Sequence, residues 1–347
     1  MRYFITGHTG FKGAWLVSLL NQLGNEVVGF SDKVEQGSLY QITNCENIVR
    51  KSYTGDVRNI QEVRNALTES EPDFLIHLAA QSLVRRSYIE PANTLEINTG
   101  GTINILAAAR GLTNIKGALI VTTDKVYTPN EIEVPHGEND PLQGFDPYSS
   151  SKALADQYAQ NWIKYVDTFP IGIARAGNVI GGGDICADRL VPEIFRAMGI
   201  NSDIELRFPN ATRPWQHVLD CLAGYIRICE HILHSGKSGI WNIGPDHGNF
   251  TQVSEMCDKL LALNNSHISW KPIKSEVFPE NNFLSLDSTK AKIELGWSNL
   301  LGLDETLLWT SNWYKEIAKG THSSEVVINQ INQYLVIMNE NNYKFGI

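Results

Sequence analysis

Short apolar runs recur along the first half of the chain, at Tyr3-Phe4-Ile5, Val27-Val28-Gly29-Phe30, Phe74-Leu75-Ile76, Ala118-Leu119-Ile120-Val121 and Ile171-Gly172-Ile173-Ala174. Between them, near residues 12–24, 60–69, 91–111 and 147–165, lie helix-like stretches. Near-continuous apolar strands separated by helices predict βαβ units and a parallel sheet buried on both faces. After about residue 178 the rhythm breaks, and Gly181-Gly182-Gly183 opens an irregular stretch. Trp241-Asn242-Ile243-Gly244 reads as one more strand returning to the sheet, with helical segments beyond it at 251–263 and 304–318.

The pattern therefore predicts an α/β fold: a Rossmann-type doubly wound parallel sheet with a smaller interleaved C-terminal substrate-binding lobe. The expected boundaries are 1–178 for the dinucleotide-binding domain, with a returning segment about 215–245, and 179–214 plus 246–347 for the lobe.

Composition narrows the partners. The chain has 347 residues, 42% hydrophobic, and a formal charge of -9. An acidic chain lacks the basic stripe that nucleic acid requires. No apolar run approaches the roughly 18 residues of a membrane span. A first strand starting almost at Met1 leaves no room for a signal peptide, so a cytoplasmic protein is expected. The five cysteines, at 45, 186, 221, 229 and 257, form no CxxC or Cys/His cluster. Neither a zinc site nor a disulfide framework is predicted, and His spacing supports no metal.

Four motifs carry candidate chemistry. The first is Gly7-His8-Thr9-Gly10-Phe11-Lys12-Gly13, between a strand and a helix. Its glycines allow a sharp turn and close approach of backbone to a pyrophosphate at the helix start. Gly7, Thr9, Gly10, Phe11, Lys12 and Gly13 are thus candidate cofactor contacts. Ser31 and Asp32 end the second strand, where an acid favours NAD over NADP. Asp56 and Val57 fit the adenine end, and Leu78-Ala79-Ala80-Gln81 places small residues against the cofactor.

The second motif is Tyr148-Ser149-Ser150-Ser151-Lys152, with Tyr148 and Lys152 on one helix face. A lysine ammonium beside a phenol lowers its pKa from about 10, making Tyr148 a candidate base for a hydroxyl undergoing oxidation. The third, Thr122-Thr123-Asp124-Lys125-Val126-Tyr127, follows an apolar strand. Thr123 can hydrogen-bond a substrate hydroxyl, Asp124 kept protonated by burial can donate a proton, and a desolvated Lys125 can accept one. The fourth is Asn210 to Val218, in which Arg213 offers a fork for a diphosphate. Arg175, Asn178 and Arg189 are candidates for a phosphate or base pocket. His217 completes the substrate set, more as a structural hydrogen-bonder than as a catalyst.

Together these motifs resemble the extended short-chain dehydrogenase/reductase family and, within it, the nucleotide-sugar 4,6-dehydratases. The resemblance rests on GHTGFKGAWL at 7–16, LAAQSLVRRSY at 78–88, TTDKVY at 122–127, DPYSSSK at 146–152, ARAGNVIGGGD at 174–184, DRLVPEI at 188–194, ATRPWQHVL at 211–219, WNIGP at 241–245 and GTHSSEVVINQINQYL at 320–335. It implies a retained NAD as temporary hydride store and a nucleotide-sugar substrate, CDP-glucose by the motif match. In that reading Tyr148 and Lys152 act at the sugar 4-hydroxyl, Asp124 and Lys125 assist loss of water across C5–C6, and hydride returns to C6. Asn98 matches the family asparagine that supports the catalytic helix and a proton path.

Relatives acting on dTDP-sugars carry TDE where this chain has Thr123-Asp124-Lys125, so base and acid divide differently between Asp124 and Lys125, in an order left open. Residues 31–36, the connection 158–171 and the Ile185-Cys186 pair also depart from the family pattern. A nucleotide-sugar 4-epimerase, a dehydratase of another nucleotide-hexose and a cofactor-sensing regulator are the alternatives. The resemblance further implies a homodimer or homotetramer paired through the helices near 91–111 and 147–165, and a role in deoxysugar supply.

Overall fold

The computed structural model describes residues 1–129, 134–245, 250–273, 278 and 283–346. Seven strands form one parallel sheet: β1 (Arg2–Thr6), β2 (Glu26–Ser31), β3 (Lys51–Thr54), β4 (Phe74–His77), β5 (Gly117–Val121), β6 (Ile171–Ala176) and β10 (Gly239–Ile243). Their spatial order is β10-β6-β5-β4-β1-β2-β3. Successive residues of each inner strand point into opposite layers. Tyr3 and Ile5 of β1 join the core cluster that holds Trp15 and Leu19, whereas Phe4 joins the one that holds Leu67 and Leu106. Leu119 and Val121 of β5 face the first layer, and Ala118 and Ile120 the second. Burial on both faces is what makes the runs read as continuously apolar.

The chain winds outward from β1 through β2 to β3, then crosses back to β4 on the other side of β1. That reversal opens a crevice beyond the carboxyl ends of β1 and β4, where such sheets bind ligands. β10 pairs in parallel with β6, as the returning-strand expectation required.

Strand β3 is not predicted by pattern. Lys51-Ser52-Tyr53-Thr54 is an exposed edge strand, so it carries no apolar run. The helical stretch expected near 91–111 runs unbroken through Pro91–Leu95, a π-helical turn Glu96–Gly100 and Gly101–Ala109. Helix Val218–Ser235 also escapes the pattern. It is apolar around most of its surface because sheet and C-terminal helices bury it on several sides.

Two smaller sheets cover the crevice: β7 (Asn178–Ile180), β9 (Thr212–His217) and β11 (Phe250–Gln252) in one, β8 (Ile204–Leu206) and β12 (Trp270–Pro272) in the other. A separate apolar cluster, with Val191, Ile194, Leu206, Trp215 and Leu260, supports them. The lobe boundary needs a correction. Val326, Val327, Ile331 and Tyr334 of helix Ser323–Glu340 join the core layer of Trp15 and Leu16, so this helix packs behind the sheet and not over the crevice. Helix Leu303–Ala318 bridges the two regions, with Leu307 in one cluster and Trp313 in the other. Among the described residues no helix is long and apolar enough to cross a membrane.

Candidate active site

A cleft of about 780 Å³ runs along the carboxyl ends of the strands and continues between the sheet and the smaller sheets. Its floor is the turn after β1. Gly7 holds a φ of 73°, where a Cβ would stand 2.8 Å from the Ala79 amide nitrogen. A Cβ on Gly13 would run into the Gly7 carbonyl oxygen. The loop closes through Gly10 N–H donating to Gly7 O at 3.1 Å, and Gly10 caps helix Phe11–Gln22. Bare backbone meeting a helix start suits the pyrophosphate of a dinucleotide, so these residues fit NAD.

Thr9, Phe11 and Lys12 line the same wall, with Ser31, Asp32, Asp56, Val57, Leu78, Ala79, Ala80 and Gln81 beyond them. Ser31 Oγ lies 3.0 Å from His8 Nδ1, and the Asp32 carboxylate accepts from Lys33 N–H at 2.9 Å. The Arg58 guanidinium donates to Asp56 and holds that carboxyl below its ordinary pKa. Lys12 donates to Tyr225 Oη at 3.1 Å; burial lowers its ammonium pKa.

Thr123, Lys125 and Tyr148 line the middle of the cleft. Asp146 caps helix Pro147–Tyr165 by accepting from Ser149 N–H at 2.9 Å, and Pro147 occupies the first turn, which fixes where Tyr148 stands. Burial pushes the Tyr148 phenol up to about 12; its hydrogen bond to Thr123 and the Arg189 charge pull it down, while Asp124 raises it. Lys152 is buried behind it and donates to Val121 O at 2.9 Å. Burial brings its pKa down to about 7, Lys12 acts in the same direction, and Asp156 opposes.

Asp124 sits just below the cleft surface, 2% exposed. Its Oδ1 accepts the Thr123 hydroxyl at 2.9 Å, and its Oδ2 is buried with no hydrogen-bond partner. Lys125 is half-buried in the cleft wall. Asn98 lies outside the cleft wall, in the π-helical turn. It accepts from Gln81 N–H at 2.8 Å and donates to Gln81 O and Ser151 Oγ, and Ser151 donates to Tyr148 O. Its amide thus clasps helix Pro147–Tyr165 to the loop after β4.

At the far end Arg189 pairs with Asp184 at 2.8 Å and donates to Ser82 Oγ. Asn178 and Arg213 line the cleft with Arg189, and Arg213 donates to Thr212 O at 3.0 Å. Two members of the expected substrate set do not belong. Arg175 is buried in an ion pair with Asp156, at 2.7 Å, away from the cleft. His217 caps helix Val218–Ser235, accepting from Leu219 N–H, and its ring lies edge-on between Trp15 and Trp309. Burial lowers its pKa to about 3, so it stays a neutral cap.

Pattern reading also missed residues. Arg207 pairs with Asp188 at 2.8 Å and Glu193 at 3.0 Å, and Asp188 pairs with Arg85, a chain of charges lining the cleft mouth. Trp15 Nε1 donates to Gly182 O, and a Cβ on Gly182 would run into the Trp313 ring, so the glycine loop is clamped from both sides.

A doubly wound sheet, a glycine cradle at its switch point and a buried Tyr–Lys pair opposite an acid–amine pair define a dinucleotide-dependent enzyme acting on a hydroxyl-bearing substrate. Residues 3–244 match the model of the NAD dependent epimerase/dehydratase family, and the chain belongs to that family. Its cofactor is NAD. The chain is 39% identical over 332 residues to CDP-glucose 4,6-dehydratase of Salmonella typhimurium, covering 92% of both chains. It is 27% identical over 346 residues to UDP-glucose 4-epimerase of Halalkalibacterium halodurans, covering 92% of this chain and 97% of the relative. Among solved structures, dTDP-glucose 4,6-dehydratase from Bacillus anthracis in complex with NAD superposes with a TM-score of 0.78 at 22% identity, over 92% of this chain and 98% of that one. At that identity the likeness speaks for the fold.

Proposed function

We propose that the protein is a CDP-glucose 4,6-dehydratase that produces CDP-4-keto-6-deoxyglucose. The observation that carries this is Asp124, with one oxygen bound to Thr123 and the other free, beside Lys125 and Tyr148 in the middle of the cleft. An epimerase needs the Tyr–Lys pair but no acid–base pair for elimination. The 39% identity to a CDP-glucose dehydratase supports the same reading.

The chemistry that bound NAD supplies is storage of one hydride between oxidation at C4 and reduction at C6. Gly7, Thr9, Gly10, Phe11, Lys12 and Gly13 would hold its pyrophosphate side, with Ser31, Asp56 and Val57 toward the adenosine and Leu78 to Gln81 along the cleft. Tyr148 takes the proton of the sugar 4-hydroxyl, and Thr123 orients that hydroxyl. Lys152 supports the phenolate from the same helix, and Asn98 holds that helix in place. Lys125, in the cleft wall, removes the C5 proton acidified by the 4-keto group. Asp124 delivers a proton to the departing 6-hydroxyl. Arg189, Arg213 and Asn178 bind the diphosphate and nucleoside.

The described parts of 1–178 with 215–245 serve the cofactor, and 179–214 with 250–273 and 283–302 cover the substrate. The enzyme works in the cytoplasm as a homodimer or homotetramer. Ile89, Leu95, Leu154 and Tyr165 leave apolar surface exposed on adjoining helices and are the expected contact. Incubation with CDP-glucose, followed by absorbance of the 4-keto product in alkali, tests the function. Formation of CDP-galactose overturns it in favour of an epimerase, and the same assay with UDP- and dTDP-glucose tests the base.

A further inference from the structure

Asp156 lies one helical turn beyond Lys152 and two beyond Tyr148 on helix Pro147–Tyr165 and is fully buried. Arg175 of β6 grips its carboxylate with both arms of the guanidinium fork: Nε donates to Oδ2 at 2.8 Å and Nη2 to Oδ1 at 2.7 Å. Oδ2 also accepts the hydroxyl of Thr122 at 2.9 Å, and Oδ1 accepts from Gln160 at 2.7 Å. Arg175 reaches in the opposite direction as well, donating through Nη1 to Tyr127 Oη at 2.9 Å and to Glu138 O at 2.9 Å. Thr122 and Tyr127 flank the turn that carries Thr123, Asp124 and Lys125. One ion pair thus holds both ends of that turn. Lys152 fastens the same segment a third time through Val121 O.

A bidentate pair that is fully buried and fully hydrogen-bonded has few alternative geometries, so it fixes what is attached to it. Around Lys152 stand Tyr148 and Asp156 from its own helix, Lys12 from helix Phe11–Gln22, His77 at the end of β4, and Arg175 of β6 beyond Asp156. His77 is kept neutral by burial, its pKa lowered to about 3, and Lys12 repels the ammonium. Asp156 is the acid that opposes these effects.

We infer that the Asp156–Arg175 pair is the positioning element of this catalytic centre: it locks the turn bearing Thr123, Asp124 and Lys125 to the helix bearing Tyr148 and Lys152, and it fixes the Asp156 carboxylate one helical turn from Lys152. The inference rests on the roles given to those residues under the proposed function. It assigns Arg175 to the architecture of the reaction and not to the substrate.

Two variants test it on the NAD-loaded enzyme. Thr122→Val removes one hydroxyl and leaves the ion pair intact. Its kcat falls about tenfold to a hundredfold, the cost of a catalytic group displaced by a fraction of an ångström, while KM stays at the wild-type value. Asp156→Asn lowers the titration midpoint of Lys152 by about one pH unit or more, read by NMR of protein labelled at lysine Cε and assigned with Lys152→Arg. Because Asp156→Asn strands a buried guanidinium, the double variant Asp156→Asn/Arg175→Gln is measured beside it, and its midpoint moves in the same direction. The alkaline limb of the pH–rate profile moves with the midpoint. An unmoved Lys152 midpoint overturns the inference, as does a Thr122→Val enzyme of wild-type kcat or one in which only KM changes. The midpoint needs no substrate, so a wild-type protein inactive on CDP-glucose defeats the functional reading alone.

Discussion

Thr123 donates its hydroxyl hydrogen to Oδ1 of Asp124 at 2.9 Å, which leaves Oδ2 of that carboxyl as the buried oxygen without a hydrogen-bond partner. A Cβ built on Gly177 would stand 3.4 Å from Oδ2 and 3.1 Å from the Pro214 ring, so Gly177 leaves little space beside this oxygen. A buried polar atom kept without a partner calls for an explanation, and transfer of one proton is a sufficient one.

Asp124→Asn keeps the shape of the side chain and removes its capacity to transfer a proton. Oxidation at C4 continues and nicotinamide absorbance of the reduced cofactor accumulates, while release of 4-keto-6-deoxy product falls about 10²–10⁴-fold, the range for loss of a general acid. In deuterated water Lys125→Gln instead stops exchange at C5. Exchange at the wild-type rate in that variant would reassign the base.

Tyr148→Phe removes the proton acceptor and leaves the cradle of glycines untouched. Turnover falls by about 10²–10⁴, and the protein is isolated with as much NAD as wild type, measured by absorbance after denaturation. Retained turnover would show that another group takes the proton.

Gly182→Ala places a methyl group against Trp313, between two clamped elements. Overpacking of this kind costs about 1–3 kcal/mol, read as a lower melting temperature. Gly199, where a Cβ meets open space, is the control: Gly199→Ala leaves stability unchanged or higher.

Acid destabilises the fold through buried histidines. Burial lowers His8 to about 4 and His77 and His217 to about 3, below the 6.5 of the unfolded chain. Between those values the unfolded state binds protons that the folded state refuses. The histidine contribution is therefore full above pH 6.5 and is lost progressively as pH falls toward 3. Melting temperature measured across this window drops, and His217→Asn, which preserves a helix cap, flattens the slope.

The inner strands were legible because burial on both faces leaves few polar positions in them, chiefly at their carboxyl ends. β3 was not, because an exposed edge strand obeys no such pattern. The glycine cradle, the Tyr148–Lys152 face and the Thr123-Asp124-Lys125 turn were legible from spacing that local geometry enforces. Arg175 was misread for a different reason. An arginine at the end of an inner strand serves equally as a ligand or as half of an ion pair, and only the placement of Asp156, on another element, decides. The available signal was Asp156 itself, an acid on the Tyr148 and Lys152 face that would need a partner once buried. Helix Ser323–Glu340 was placed in the wrong layer because the partner of its apolar face, helix Phe11–Gln22, lies at the opposite end of the sequence.

Strand β10 is the outer neighbour of β6 but is reached only after the whole segment holding β7, β8, β9 and helix Val218–Ser235. During synthesis, the ribosome must release the chain through Ile243 before β6 acquires its last row of hydrogen bonds. Until then the nascent molecule carries an unpaired, apolar sheet margin, the template on which chains join wrongly. A frameshift upstream of β10 yields aggregate, and no smaller working enzyme.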